Sequence, residues 1–355
     1  MRVVIAKSEY GPRPRDLPLA GEHVTWRGPV ALSGSYTTVL TSPEDLLETL
    51  QPLRLRATCM GENPCKPGSP RFVLCIYDRL MGIEFYASAG PFTELTAEHA
   101  ALVQGLGLDA LGLCRVAQGL LVAPPNASGA GMDERRLAER NMRPASALLE
   151  RALELGPSLS PTDLRPAEQR VVGTCRHYAV LATAFLRAVN IPARARCGFA
   201  AYFFPPKKVD HWIIEYWPNV DRGWIRVDPE YLDCATPSPS RTEDLRPGEF
   251  LTAGEAWQLV RTGRDDPANF GVFGTENWGP GEIRGNAMRD IASLAKKLEM
   301  LPWDEWGPMT DSYKGATGED FDRLIDELAV ATNDPNGFDL THIYDRLAIP
   351  ATLLH

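Results

Sequence analysis

The sequence predicts an α+β fold in which one helix, carrying the candidate nucleophile, packs on an antiparallel sheet. Three observations predict it. Residues 178–189 form an apolar run at helical spacing, directly after Gly173-Thr174-Cys175-Arg176-His177. Asn190-Ile191-Pro192 interrupts that run, and the pattern turns extended over residues 194–204, 211–217 and 224–228. A cysteine, a histidine and an aspartate fall on these elements in chain order, as Cys175, His211 and Asp228.

The helix comes first because its start bears the thiol. Thr174 is placed to cap it. A helix N-terminus and a nearby imidazolium both lower a thiol pKa, so a reactive thiolate is expected at Cys175. His211, expected at the start of the second strand, faces a cleft as a base. Asp228, expected at the end of the third strand, holds the far ring nitrogen. Pro229 ends that strand. Each residue alone has a plainer reading: a buried cysteine, a packed histidine, an aspartate capping a turn. The ordered set, at separations of 36 and 17 positions, outweighs those readings. His177 lies two positions beyond Cys175 and faces away from it on a helix, which makes it a poorer base. Arg170 and Arg176 flank the thiol and suit either a thiolate or a carboxylate-bearing substrate. Arg176, Trp212 and Trp278 are the expected substrate-binding residues, Trp212 because it neighbours His211. Trp303 is a further candidate.

The stretch resembles the core of the transglutaminase-like superfamily of cysteine enzymes, and in particular a group of bacterial transglutaminase-like proteins. The pieces that carry the resemblance are Gly173-Thr174-Cys175-Arg176, Leu186-Arg187, Ile191-Pro192-Ala193-Arg194, Arg196-Cys197-Gly198-Phe199-Ala200, Asp210-His211-Trp212, Glu215-Tyr216-Trp217, Trp224 and Val227-Asp228. The resemblance implies a papain-like Cys-His-Asp arrangement. Cys175 is then the nucleophile, His211 the base and Asp228 the third member, with no cofactor and no metal. Relatives usually carry a His-Glu-aromatic sequence after the position of Leu120-Leu121. This chain has prolines and small residues there, which implies an altered pocket.

Around this stretch the chain divides into an accessory α+β region (1–90), a catalytic core (91–310) and C-terminal bracing helices (311–355). In the first region, residues 3–5 and 36–40 are expected strands and Ser42 starts a helix. Residues 71–77 and 81–86 suggest a hairpin. Residues 96–106, 113–122, 133–141 and 145–155 read as helices, and 123–131 as a loop. After Asp228, residues 250–260 read as a short element and a helix capped by Thr252 with Glu255. Residues 269–285 read as a loop, and helices follow at 285–298, 319–329 and 338–347.

Composition narrows the function classes. The chain has 355 residues and a net charge of −9, which argues against nucleic acid as a partner. No run of 18 apolar residues exists and the N-terminus lacks a signal peptide, so no membrane role and a cytoplasmic setting are expected. The seven cysteines, an odd number, suit free thiols. Cys59, Cys65 and Cys75 lack the spacing of a zinc site. The expected chemistry is acyl transfer through a Cys175 acyl-enzyme, joining a thioester or amide donor to an amine, with small-molecule biosynthesis as one setting. The expected partners are a small or carrier-protein-bound acyl substrate and an amine acceptor; the oligomeric state stays open. Hydrolysis of an amide or isopeptide by the same residues is an alternative, as is a non-catalytic binding module.

Overall fold

The computed structural model describes residues 2–5, 30–33, 38–40, 82–219, 221–234, 241–315, 318–333, 340–350 and 353. The chain divides into two compact units: residues 1–81 with 219–221, and 82–218 with 222–355. In the first unit, β1 (Arg2–Ile5), β2 (Val30–Ser33) and β3 (Thr38–Leu40) form an antiparallel sheet in that order. The expected helix at Ser42, the strand at 71–77 and Cys59, Cys65 and Cys75 lie outside the described residues.

In the second unit, helices α1 (Ala97–Gly105), α2 (Ala110–Leu120), α3 (Pro124–Gly129), α4 (Glu134–Leu137) and α5 (Ala145–Leu155) precede the central helix α6 (Cys175–Ala188). Two short strands, β4 (Leu121–Val122) and β5 (Val171–Val172), pair in parallel. The main sheet follows as β6 (Ala193–Phe204), β7 (Lys207–Tyr216), β8 (Ile225–Val227), β9 (Phe250–Thr252) and β10 (Phe270–Gly271). Its order is β10-β7-β6-β9, with β8 also on β7; only β10 runs parallel to its neighbour. The remaining helices are α7 (Ala253–Arg261), α8 (Pro280–Leu294), α9 (Gly307–Tyr313), α10 (Glu319–Asn333) and α11 (Leu340–Arg346).

Helix α6 is buried on every side from Arg176 to Arg187. Its apolar side chains share a core with α2, α5, β6 and β7. It ends as its sequence dictates. Asn190 takes the left-handed conformation at φ 58°. The Ile191 N–H then returns to Leu186 O at 2.9 Å and the Asn190 N–H to Arg187 O at 2.9 Å, a Schellman closure before Pro192 starts the strand.

Helix α8 shields the edge of β6 that no strand covers. Asn286, Asp290 and Ser293 share one helix face. Ser293 Oγ donates to Ala195 O at 3.0 Å, and Asn286 Nδ2 donates to Gly198 O at 3.3 Å. Asp290 accepts the Cys197 N–H at 3.0 Å and pairs with Arg196 at 2.9 Å. A polar helix face thus satisfies a strand edge that would otherwise be open. The capping box at Thr252 and Glu255 forms as the sequence predicts.

Several expectations are corrected. Residues 82–85 are helical, because Tyr86 must turn inward: its ring is fully buried and its hydroxyl donates to Leu294 O at 3.0 Å. The supposed loop after Ala123 is helix α3, since proline is well tolerated at a helix start. Helix α8 begins at Pro280 rather than 285 for the same reason. The compact units divide at 81/82, and residues 311–355 lie in the unit that holds α6 and the main sheet. Ile325, Leu328, Leu340 and Leu347 share the apolar cluster of α8.

Asp290→Ala is expected to destabilise the protein by about 3–5 kcal/mol, because it leaves Arg196 buried beside an unpaired strand N–H. Denaturant unfolding followed by circular dichroism checks this; a loss well below that range would show that the edge is held otherwise.

Candidate active site

The entry to α6 is built to close tolerance. The Gly173 N–H donates to Val122 O at 3.0 Å, prolonging the β4–β5 pair. A side chain at 173 would strike His177, whose Cβ would lie 2.8 Å from the new carbon. The Val172 N–H is held by Glu139 at 3.1 Å, and Glu139 is gripped by Arg136 at 2.8 Å and Arg151 at 2.9 Å. The Thr174 N–H donates to His177 Nδ1 at 3.0 Å, while His177 Nε2 lies 2.9 Å from Met142 O. That pattern fixes His177 as a neutral imidazole with its proton on Nε2. Burial, reinforced by Arg176, lowers its pKa to about 3. His177 is therefore a clasp on the helix start, not a base.

Cys175 opens the helix and is partly exposed. Helix geometry leaves the N–H groups of Cys175 and Arg176 without an intrahelical carbonyl, whereas the His177 N–H is taken by Thr174 O at 2.8 Å. His211 arrives from the middle of β7, not its start, because β7 begins four residues earlier, at Lys207. It faces Gly198 across the β6–β7 ladder, and Gly198 in turn faces Thr252 on β9. A side chain at 198 would collide with the Leu251 carbonyl, so glycine is required where these strands close up behind His211.

Asp228 follows β8 directly and is fully buried. His211 Nε2 meets Asp228 Oδ2 at 3.0 Å, and the Tyr202 hydroxyl donates to the same oxygen at 2.5 Å. The other oxygen accepts the N–H groups of Glu230 at 3.0 Å and Tyr231 at 3.3 Å. With Nε2 engaged by Asp228, Nδ1 is left for the sulfur. The Cys175 sulfur, a His211 nitrogen and a Glu230 carboxylate oxygen all lie within 4.8 Å of one another. The rings of Phe203 and Tyr231 stand 5.1 Å and 5.9 Å from the imidazole, centre to centre.

Electrostatics divide the pair. Burial works against a charged His211, but the attraction and hydrogen bond of Asp228 prevail, and its pKa is raised well above the usual imidazole value. Burial pushes the Cys175 thiol up; His211 pulls it back, while Asp210 and Glu230 push with burial. The expectation of a simply lowered thiol is thus corrected. Burial of the sulfur and the negative charge of Glu230 and Asp210 oppose the histidine. The thiol becomes reactive by passing its proton to His211, not by standing ionised alone.

The three expected substrate-binding residues are placed elsewhere. Arg176 is fully buried and donates to the carbonyls of Glu299, at 2.9 and 2.6 Å, and Arg143, at 2.6 Å. It is a structural tie of α6, with no surface left for substrate. Trp212 is also fully buried, in the core against α6, because neighbours on a strand point to opposite faces and His211 takes the other one. Trp278 is partly buried, with its N–H on Thr275 O at 3.1 Å and Lys207 over its ring. Arg170 donates to Arg165 O at 2.8 Å, and Trp303 lies under Arg140.

Two residues at the site went unread in the sequence. Tyr202 reaches Asp228 from β6. Glu230 follows Asp228 by two positions and turns back beside the sulfur. The signal was Asp228-Pro229-Glu230 itself: an aspartate that caps its own turn brings the residue two places on close to it. Sulfur, imidazole and carboxylate donors this close also suit a soft divalent cation, so assays of this site carry chelator.

Burial, aided by Asp228, raises Glu230 from an ordinary carboxylate value to about 7. Its native pKa exceeds the unfolded one, so it favours the fold in acid and loses that contribution as pH rises through about 7. Wild type is expected to lose about 1–3 kcal/mol relative to Glu230→Gln between pH ~4 and ~8, allowing for partial exposure. Urea unfolding of both proteins across that range is the check. A constant difference would show that Glu230 titrates normally.

No curated protein and no solved structure matches the chain significantly. The family comparison finds one region, residues 151–229, running from helix α5 through Cys175 and His211 to the position after Asp228. It ends one residue short of Glu230. The helix, the strands and the order of the three side chains agree with that finding: residues 151–229 are a transglutaminase-like superfamily domain.

Proposed function

We propose that this protein is a cysteine-dependent acyltransferase that works through a thioester on Cys175. The observation that carries the reading is the relay of Cys175, His211 and Asp228 at the open end of α6. His211 takes the thiol proton as the sulfur attacks a thioester or amide carbonyl. The developing oxyanion falls near the Cys175 and Arg176 N–H groups at the start of α6, where the helix dipole favours negative charge. His211 then returns its proton to the departing thiol or amine. Asp228 keeps the imidazole oriented through both transfers. An amine resolves the acyl-enzyme into an amide. The acyl donor is a small or carrier-bound thioester or amide, which suits a base flanked by the rings of Phe203 and Tyr231.

The finer choice, amine over water, draws on the Glu230 carboxylate beside the sulfur, which favours a cationic co-substrate over an anionic one. Water resolving the same acyl-enzyme would make the protein an amidohydrolase.

Intact-protein mass spectrometry tests the mechanism. Wild type incubated with acyl thioesters is expected to gain one acyl group at Cys175, discharged by an added amine as an amide. Cys175→Ala is expected to fold and gain none. His211→Ala is expected to slow acylation by roughly 10²–10⁴-fold, and Asp228→Asn by less. Turnover by Cys175→Ala would end the covalent mechanism, and discharge by water regardless of amine would make the protein a hydrolase.

Cys175 is also expected to be alkylated ahead of Cys114 and Cys197, which are buried, and of Cys234, which is exposed but has no histidine partner. Peptide mapping after brief iodoacetamide treatment near pH 7 reads this. Faster labelling of Cys234 would count against an activated Cys175.

A further inference from the structure

We propose that Glu230 receives the acceptor amine as its ammonium ion beside the Cys175 thioester and takes its proton, and so selects a charged amine over water. This rests on the acyl-transfer reading above and names its second substrate. Four observations support it.

The first is position. A Glu230 oxygen lies within 4.8 Å of both the Cys175 sulfur and the His211 nitrogen. An ammonium nitrogen hydrogen-bonded to that oxygen at about 2.8 Å stands beside an acyl carbon carried on the sulfur. The second is vacancy of charge. Among the described residues, no Lys or Arg forms an ion pair with the Glu230 carboxylate, and only the His211 imidazole, itself bound to Asp228, attracts it, whereas Asp228 is fully subscribed. The third is rigidity. Glu230 is pinned at both backbone ends: its N–H on Asp228 at 3.0 Å and its carbonyl under Gln118 Nε2 at 2.9 Å. A carboxylate that merely faced solvent would need no such mounting. The fourth is surroundings. Asp210, held by Asn286 at 2.7 Å, also disfavours negative charge on the sulfur. Burial also makes the unpaired Glu230 anion unfavourable, as its raised pKa records, and a bound cation relieves that cost.

The step balances. The ammonium gives one proton to the Glu230 carboxylate and becomes a neutral amine. Its nitrogen attacks the acyl carbon, the C–N bond forms, and the C–S bond breaks with Cys175 leaving as thiolate. The second nitrogen proton passes to neutral His211, which returns it to the thiolate and so restores the thiol and the neutral imidazole. Glu230 releases its proton to solvent. A water molecule carries no charge for Glu230 to hold, so the residue favours aminolysis over hydrolysis.

The test measures protection of Cys175 against iodoacetamide, a neutral reagent, by n-butylammonium at pH 7, constant ionic strength and with chelator. Wild type is expected to show saturable protection by n-butylammonium and far less by n-butanol. In Glu230→Gln the concentration giving half-protection is expected to rise about 10-fold or more. Glu230→Asp, which keeps the charge, should recover part of the effect. Equal protection of wild type and Glu230→Gln, or none in wild type, overturns the proposal. Protection needs no acylation. A protein that never acylates would therefore sink the transferase reading while ammonium recognition is judged separately. Where acylation occurs, the ratio of amide to acid product should fall in Glu230→Gln for n-butylamine but not for methoxyamine, which is uncharged at this pH.

Discussion

The candidate site depends on one buried carboxylate. Asp228 has no exposed surface and gathers four donors: His211, Tyr202 and two backbone N–H groups of its own turn. Those bonds do three things together. They keep a charge-bearing group tolerable inside the protein. They turn the imidazole so that its other nitrogen meets Cys175. They also fold the chain after β8 back on itself, which delivers Glu230 and Tyr231 to the same cleft. Nucleophile, base and wall are thus set by one hydrogen-bonded turn.

The scaffold around that turn is held by polar contacts as much as by apolar packing. On the sheet, Glu215 accepts from Arg194, Arg196 and Arg226 at 2.7, 2.8 and 3.0 Å. Burial would push its carboxyl up, but the three guanidiniums hold it well below the usual range. Arg196 continues to Asp290 on α8, so β6 and the helix guarding its edge are joined by ionic links that water does not screen. Such a network adds little net stability over a well-packed apolar core, yet tolerates no missing member. Its geometric effect is to fix β6 against β7, and through Gly198 the backbone opposite His211.

Much of this was legible in the sequence because the signals were local. The switch from helical to alternating pattern around Asn190-Ile191-Pro192 marked α6 and β6. Thr252 with Glu255 marked the start of α7. Cys175, His211 and Asp228 were readable because their order and element types are what the chemistry requires. The errors came where distant chain decided the outcome. Arg176 looked like a surface cation beside a thiol; carbonyls of Arg143 and Glu299, far off in sequence, drew it inside. Trp212 was misplaced because strand alternation sends it to the face opposite His211. Pro124 and Pro280 were read as breaks although a helix accepts proline in its first turn. Glu230 was overlooked although Asp228-Pro229-Glu230 signals the turn, because that the turn lies against the start of α6 is set by chain far off in sequence.

The anchoring of α6 also bears on what kind of evolutionary object the matched segment is. His177 rests on Met142, and Arg176 on Arg143 and Glu299. Arg187 bonds Tyr86 and Thr93, and the β6 edge is completed by α8. All of these partners lie outside residues 151–229. The recognisable segment is therefore a signature, not a portable module. It holds the candidate nucleophile, base and third member, while many of the contacts that keep them still come from flanking sequence. Grafted alone into another protein, it would carry unmet donors at its most buried arginines. Flanks can thus diverge in sequence provided they keep presenting backbone carbonyls at the same points, since any residue supplies a carbonyl.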